Sequence, residues 1–142
     1  MIRRYTYNDI KDIVKLESLT LGTTLGEDML KSELDNPLSY IFVYSKDNEI
    51  IGYISTSFDG EIVEILNFCV NPNMQNKGIG SSLLEYIFDY FKNLNAKSSI
   101  LEVRESNTKA ISLYTKSGYN KISIRKSYYS NRENALVLQK IF

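Results

Sequence analysis

Apolar residues along the chain switch between two periods, and the switches mark the elements. Ile2 to Thr6 forms a short extended run. Ile10, Ile13, Val14, Leu16 and Leu19 then recur at helical spacing, predicting a helix from Asn8, as its N-cap, to Thr20. Leu21 to Gly26 reads as a loop, and a second short helix spans Glu27 to Leu34, stopped before Asn36-Pro37. Strand signals follow at Tyr40–Ser45, Ile50–Phe58 and Glu61–Val70, punctuated by Lys46-Asp47-Asn48-Glu49 and Asp59-Gly60, which predicts an antiparallel meander. Asn67 interrupts the third run, as a bulge or splay would, or as a plain polar edge position would. Beyond Asn71-Pro72-Asn73 lies a helical stripe of Ile79, Leu83, Leu84, Ile87, Phe88, Phe91 and Leu94, all predicted to be buried. Lys97–Arg104 is the next strand. A helix capped by Ser106 or Asn107 runs to Lys116 and stops at Ser117-Gly118. Tyr119–Lys126 and Asn134–Ile141 form two closing strands joined across Ser130-Asn131-Arg132. The strand–helix–strand passage implies one parallel pair beside the meander. The predicted class is α+β: a single domain, 1–142, whose mostly antiparallel mixed sheet carries about four helices on both faces.

The stretch Gln75-Asn76-Lys77-Gly78-Ile79-Gly80-Ser81-Ser82 joins a strand to the longest helix. Glycines at 78 and 80 let backbone amides approach a ligand closely, and a helix start offers the positive end of the macrodipole to phosphate. No Gly-x4-Gly-Lys-Ser/Thr string occurs, and position 83 is Leu, so neither the nucleotide P-loop nor the three-glycine dinucleotide fingerprint fits.

Composition narrows the chemistry. The chain has no histidine and one cysteine, which excludes histidine-based catalytic triads, thiolate clusters and internal disulfides. Acid–base work therefore falls to Glu, Asp, Tyr, Lys, water or backbone, and no metal is called for. Net charge is zero, which argues against nucleic acid as a direct partner, but residues 1–75 carry net −6 and residues 76–142 net +6. The basic half begins at the glycine turn and suits an anionic ligand. The acidic half suits a cationic co-substrate or is an ordinary solvated face. No apolar run approaches membrane-spanning length, and the expected location is the cytoplasm, away from membranes.

Strand alternation puts Ile100, Glu102 and Arg104 on one face of their strand and Leu101 and Val103 on the other. Helical spacing puts Asn107, Ala110 or Ile111, and Tyr114 on one stripe. From these residues alone Glu102 reads first as a solvated strand-end carboxylate, Tyr114 as an amphipathic anchor, and Asn107 as a cap, a role compatible with binding a ligand. Cys69, in an apolar strand, reads as an inert core thiol.

The pattern Gln75-x-x-Gly78-x-Gly80 after Val70-Asn71-Pro72 resembles the acyl-coenzyme A pyrophosphate loop of the GNAT superfamily of N-acetyltransferases. A second block, Leu101-Glu102-Val103-Arg104, Ser106-Asn107, Ala110-Ile111, Leu113-Tyr114 and Gly118-Tyr119, is similar to the C-terminal half of that family. It is most similar to the RimI-type ribosomal-protein-alanine N-acetyltransferases, as are Arg125-Lys126-x-Tyr128-Tyr129 and Arg132-Glu133-Asn134-Ala135. The resemblance implies the GNAT fold and an acetyl-CoA-dependent acyltransferase working by direct attack in a ternary complex. It implies Glu102 as base and Tyr114 as acid toward the departing sulfur. It implies backbone of Phe68, Cys69 and Val70 along the pantetheine, Gln75, Asn76, Lys77, Gly78, Ile79, Gly80 and Ser81 at the pyrophosphate, and Asn107 as a further coenzyme contact. The implied acceptor is a protein N-terminus, alanine of a ribosomal protein foremost. Two departures bear on that acceptor. Leu19–Gly26 lacks the subgroup's aromatic-proline-tryptophan element, and the usual acidic pair near the last strand is Glu133-Asn134. A small-molecule amine acceptor and a non-catalytic coenzyme-binding module are the alternatives.

Overall fold

The computed structural model describes residues 1–21 and 26–142. Seven strands make one sheet: β1 (Ile2–Arg4), β2 (Ser39–Lys46), β3 (Glu49–Phe58), β4 (Ile62–Val70), β5 (Ser98–Arg104), β6 (Asn120–Arg125) and β7 (Ala135–Ile141), in spatial order β1-β2-β3-β4-β5-β7-β6. The helices are α1 (Ile10–Leu21), α2 (Glu27–Asp35), α3 (Ile79–Lys92) and α4 (Thr108–Lys116), with single 3₁₀ turns at Tyr7–Asp9 and Pro72–Met74. Every strand pair is antiparallel except β4–β5, which is parallel across the α3 crossover.

Turn chemistry sets the meander. Asp47 and Asn48 both take positive φ, 52° and 63°, the conformation a two-residue hairpin requires. Asp59 Oδ1 accepts from the amides of Glu61 and Ile62 at 2.9 and 2.7 Å and closes the next turn. The helices divide between the two faces of the sheet. α3 and α4 lie over a core containing Phe42, Ile54, Phe58, Leu83, Leu84, Ile87, Phe91, Leu101 and Val103. α1 and α2 lie over a second one containing Tyr5, Ile13, Leu16, Leu30, Val43, Tyr53 and Cys69.

Two local expectations are corrected. Asn8 does not cap α1, because the chain enters through the 3₁₀ turn, where Thr6 N donates to Asp9 Oδ2 at 2.8 Å. Arg3 grips the same carboxylate with two bonds of 2.8 Å each, a partner that no local pattern displays. Leu94 is 41% exposed, because α3 ends at Lys92 and positive φ at Asn95 turns the chain away. The loop expected at Leu21–Gly26 has its residues 22–25 outside the described residues.

Candidate active site

The site begins where two strands part. β4 and β5 pair from Ile62↔Ser98 to Ile65↔Leu101, and there the pairing stops. One cause is a bulge. Against β3, Thr56 pairs with Ile65 and Ser55 with Asn67, so Leu66 is the extra residue, beside the polar interruption at Asn67. β5 continues from Glu102 to Arg104 paired with β7, while the β5-facing edge of β4 beyond Ile65 has no ladder partner. An unpaired edge offers amides and carbonyls to an extended ligand.

On the α3/α4 side a cavity of about 700 Å³ opens beside this parting. Its walls bring together Phe68, Val70, Gln75, Asn76, Gly78, Ile79, Gly80, Ser81, Asn107 and Tyr114, ten of the residues that the sequence nominated. Asn76 (φ 64°) and Gly78 (φ 81°) take left-handed conformations, and α3 starts directly after them. The first intrahelical bond of this turn comes from Ser82 N to Gly78 O, at 3.0 Å. The amides of Ile79, Gly80 and Ser81 precede it and have no partner within the helix. They point their dipoles at a cavity wall, the arrangement that suits phosphate. A Cβ on Gly80 would lie 3.4 Å from both Phe68 and Leu113, so glycine here keeps the helix start close to β4 and α4. Gln75 braces the loop, its Nε2 donating to Val70 O at 3.1 Å and its Oε1 accepting from Lys109 at 2.7 Å.

Asn107 is both cap and wall: its Oδ1 accepts from Ala110 N at 3.1 Å while the residue borders the cavity. One helical stripe onward, Tyr114 is buried, with its ring 6.1 Å from that of Phe68 and 5.7 Å from that of Tyr119. Its hydroxyl makes no hydrogen bond to another described residue. Burial pushes the phenol pKa upward, the nearby Cys69 thiol adding to the effect, so it remains protonated through neutral pH.

Three nominated residues stand outside the cavity. Cys69 is 2% exposed and packs against the α1/α2 core, and its burial with the Glu17 carboxylate nearby pushes the thiol up to about 12, so it is neutral at physiological pH. Lys77 is exposed on the loop. Glu102 follows Leu101, the last paired residue at the parting, and faces the other way, because its neighbours Leu101 and Val103 face the α3/α4 core. Its Oε1 lies 3.2 Å from Arg125 Nε. The parting therefore has a cavity on one face and a carboxylate on the other.

Met74, Lys109, Ser112, Lys116 and Thr20, none of them nominated from the sequence, also line the cavity, as does Leu113 of the second motif block. The two lysines carried one signal, the basic charge of the second half.

Residues 8–119 match the acetyltransferase (GNAT) family. The chain belongs to the GNAT family. An N-alpha-acetyltransferase of Saccharolobus solfataricus is 30% identical over 155 residues, covering 98% of this chain and 91% of its own. The crystal structure of the ribosomal-protein-S18-alanine N-acetyltransferase from Escherichia coli superposes with TM-score 0.92 at 25% identity, covering 99% of this chain and 92% of that one. A Thermoplasma acidophilum N-acetyltransferase solved in complex with coenzyme A shares the fold, with TM-score 0.86 at 16% identity over 100% of this chain and 98% of that one. This GNAT protein is accordingly an N-acetyltransferase, and the E. coli neighbour is named for acetylating a ribosomal protein.

Proposed function

We propose that the protein transfers acetyl from acetyl-CoA to the α-amino group of a protein N-terminus, with alanine of a ribosomal protein as the leading acceptor. The observation that carries this is the pairing at one strand parting of a phosphate-suited cavity with a carboxylate on the opposite face. The residues present fit coenzyme A. The amides of Ile79 to Ser81 suit the pyrophosphate, and the open edge of β4, Phe68 to Val70, suits the amide-bearing pantetheine arm. Asn107 and Lys109 add polar contacts at the wall. Bound acetyl-CoA would supply a thioester, the activated acyl donor.

The chain's own residues supply the rest. Free amides of the β4 edge serve as donors to the thioester carbonyl as it gains negative charge. The protonated Tyr114 hydroxyl, with no hydrogen-bond partner among the described residues, presents its O–H to the departing sulfur. Glu102 receives the proton that the amine loses on attack. An α-amino group titrates near about 7.7–8.0, so much of it is already neutral at physiological pH and a carboxylate base suffices, directly or through water. The N-terminal acetylation named for the S. solfataricus and E. coli relatives supports the choice of acceptor.

The test is release of free thiol from acetyl-CoA with an Ala-initiated peptide, the same peptide blocked at its N-terminus, and a panel of small amines. Turnover confined to the free-amino peptide, and sharply reduced to a residual rate in Glu102→Gln, is the expected result. Turnover of small amines alone would overturn the peptide assignment, and tight coenzyme binding without thiol release for any acceptor would overturn catalysis.

A further inference from the structure

The face of the sheet that carries Glu102 also carries two guanidiniums, and they are held differently. Arg104 lies two residues further along β5, on the same face as Glu102, and is in register across Ala135 with Arg125 of the edge strand β6. Arg104 is drawn toward the β6–β7 loop. It stacks on the Tyr129 ring at 3.9 Å, donates to Asn131 Oδ1 at 3.3 Å and pairs with Glu133 at 3.4 Å. Ser106 N, at 2.7 Å, fixes Glu133 in turn. Arg125 has no such set of partners; its guanidinium lies 5.5 Å from the Tyr128 ring and reaches back over β7 to Glu102. That reach runs diagonally over β7, where Ala135 is the register partner of Arg125 and Val137 that of Glu102.

We infer that Arg125 is a positioning residue for Glu102, fixing its carboxylate at the strand parting with one oxygen engaged and the other available to the acceptor amine. This rests on the reading of Glu102 as the base. The nearest approach is Arg125 Nε to Oε1, without the two hydrogen bonds by which Arg3 forks Asp9, and Oε2 accepts no hydrogen bond from another described residue. A two-pronged grip would have occupied both oxygens and opposed proton uptake; a looser contact orients without blocking. The loop serves the same end by holding Arg104 off the carboxylate. With side-chain exposures of 58% for Arg125 and 23% for Glu102, the pair is half open to solvent, so its hold is modest. Loss of an exposed pair of this kind corresponds to about a fivefold change at most.

The experiment is a double-mutant cycle on turnover of the Ala-initiated peptide, with Arg125→Gln and Glu102→Gln alone and together, and Arg125→Lys as the rescue variant. Arg125→Gln is expected to lower kcat by about fivefold and leave KM for acetyl-CoA within about twofold, because the cofactor cavity lies on the other face. Arg125→Lys recovers part of the loss. In the Glu102→Gln background, Arg125→Gln changes kcat by less than about twofold, since its partner is gone. Equal losses in both backgrounds, or no loss in the parent, overturn the positioning role while leaving Glu102 as base. An unimpaired Glu102→Gln enzyme overturns the base assignment and this inference with it. Arg125 is exposed on an edge strand, and unfolding temperatures of the four variants against the parent check that the rate changes are not losses of folded enzyme.

Discussion

Replacing Tyr114 by Phe separates the hydroxyl from the ring and tests the proposed acid directly. The ring is 8% exposed and packs edge-on against Phe68 and Tyr119, contacts that phenylalanine keeps. The hydroxyl bonds to no described residue, so its removal breaks no hydrogen bond and leaves no orphaned partner. The stability change is therefore within about 0.5 kcal/mol, a shift of about 1–2 °C in Tm for a chain of this size. Catalysis responds differently. A positioned proton donor contributes about 10²–10⁴-fold, or roughly 3–5 kcal/mol of barrier. A thiolate is a good leaving group, with a thiol pKa near about 8.5, so the loss falls at the lower end, about 10²-fold in kcat. Thiol release at saturating peptide measures kcat, calorimetry measures coenzyme A affinity, and thermal unfolding reports Tm. The wild-type profile should show no loss from this group up to about pH 10, because burial moves its pKa upward from the ordinary phenol value. A Tyr114→Phe enzyme with kcat within about threefold of wild type, or one whose coenzyme affinity falls as far as its rate, would refute the acid assignment.

Glu133 gives a pH prediction of definite sign. The Ser106 hydroxyl and amide hold its carboxyl down to about 2, with Asn131 and Arg104 assisting. A depressed carboxylate stabilises the fold above its unfolded value, near the ordinary 4.5, and that contribution disappears as pH falls toward 2. Unfolding temperatures of wild type and Glu133→Gln should differ at pH 7 and converge between about pH 4.5 and 2; parallel curves would show that the loop gains nothing from the charge. Phe91→Ala should cost about 3–5 kcal/mol, because the ring is fully buried and meets Tyr40 at 5.4 Å and Phe58 at 5.0 Å. Tm would fall by about 10 °C or more with coenzyme affinity of the remaining folded protein unchanged.

The sequence was informative where structure is local. Asp47-Asn48 and Asp59-Gly60 carry their turn chemistry with them, and the stripe from Ile79 to Phe91 follows one helical period, so the meander and α3 are legible to within a residue or two. The cavity was legible because its walls come from short-range geometry: a glycine turn before a helix, and a cap with the side chains three and seven residues on. Long-range pairing was not legible. No residue of β7 announces that it inserts between β5 and β6, since strand order depends on register between distant segments. The Arg3–Asp9 fork at the entry to α1 was hidden for the same reason, as was the Arg125–Glu102 pair, which joins residues of two strands across a third. Lys109 and Lys116 stand at polar positions of a short helix, indistinguishable in pattern from a solvated face.

The division of charge along the chain becomes a division across the sheet, and that has a kinetic consequence. The acidic half supplies α1 and α2, with Asp12, Glu17, Glu27, Asp28, Glu33 and Asp35 against Lys11, Lys15 and Lys31 on one side of the sheet. The basic half supplies α3 and α4, with Lys109 and Lys116 on the cavity wall and Lys77 in the loop before α3. A polyanionic cofactor is thus drawn toward the lysines of the cavity wall, while a cationic amino terminus approaches the other face, where the carboxylates of α1, α2 and Glu102 stand against Lys11, Lys15, Lys31, Arg104 and Arg125. Attraction of this kind acts on encounter rather than on the chemical step, and at physiological ionic strength it decays over about 8 Å. Raising KCl from 50 to 500 mM should lower kcat/KM for both acetyl-CoA and peptide, by several-fold each, and leave kcat at saturation nearly constant. Charge reversal at Lys109 should flatten the salt response for acetyl-CoA and leave that for peptide in place, because the two fields originate on different faces. A common loss of salt dependence for both substrates would mean that one undivided field serves them, and the separation of faces would then be geometric only.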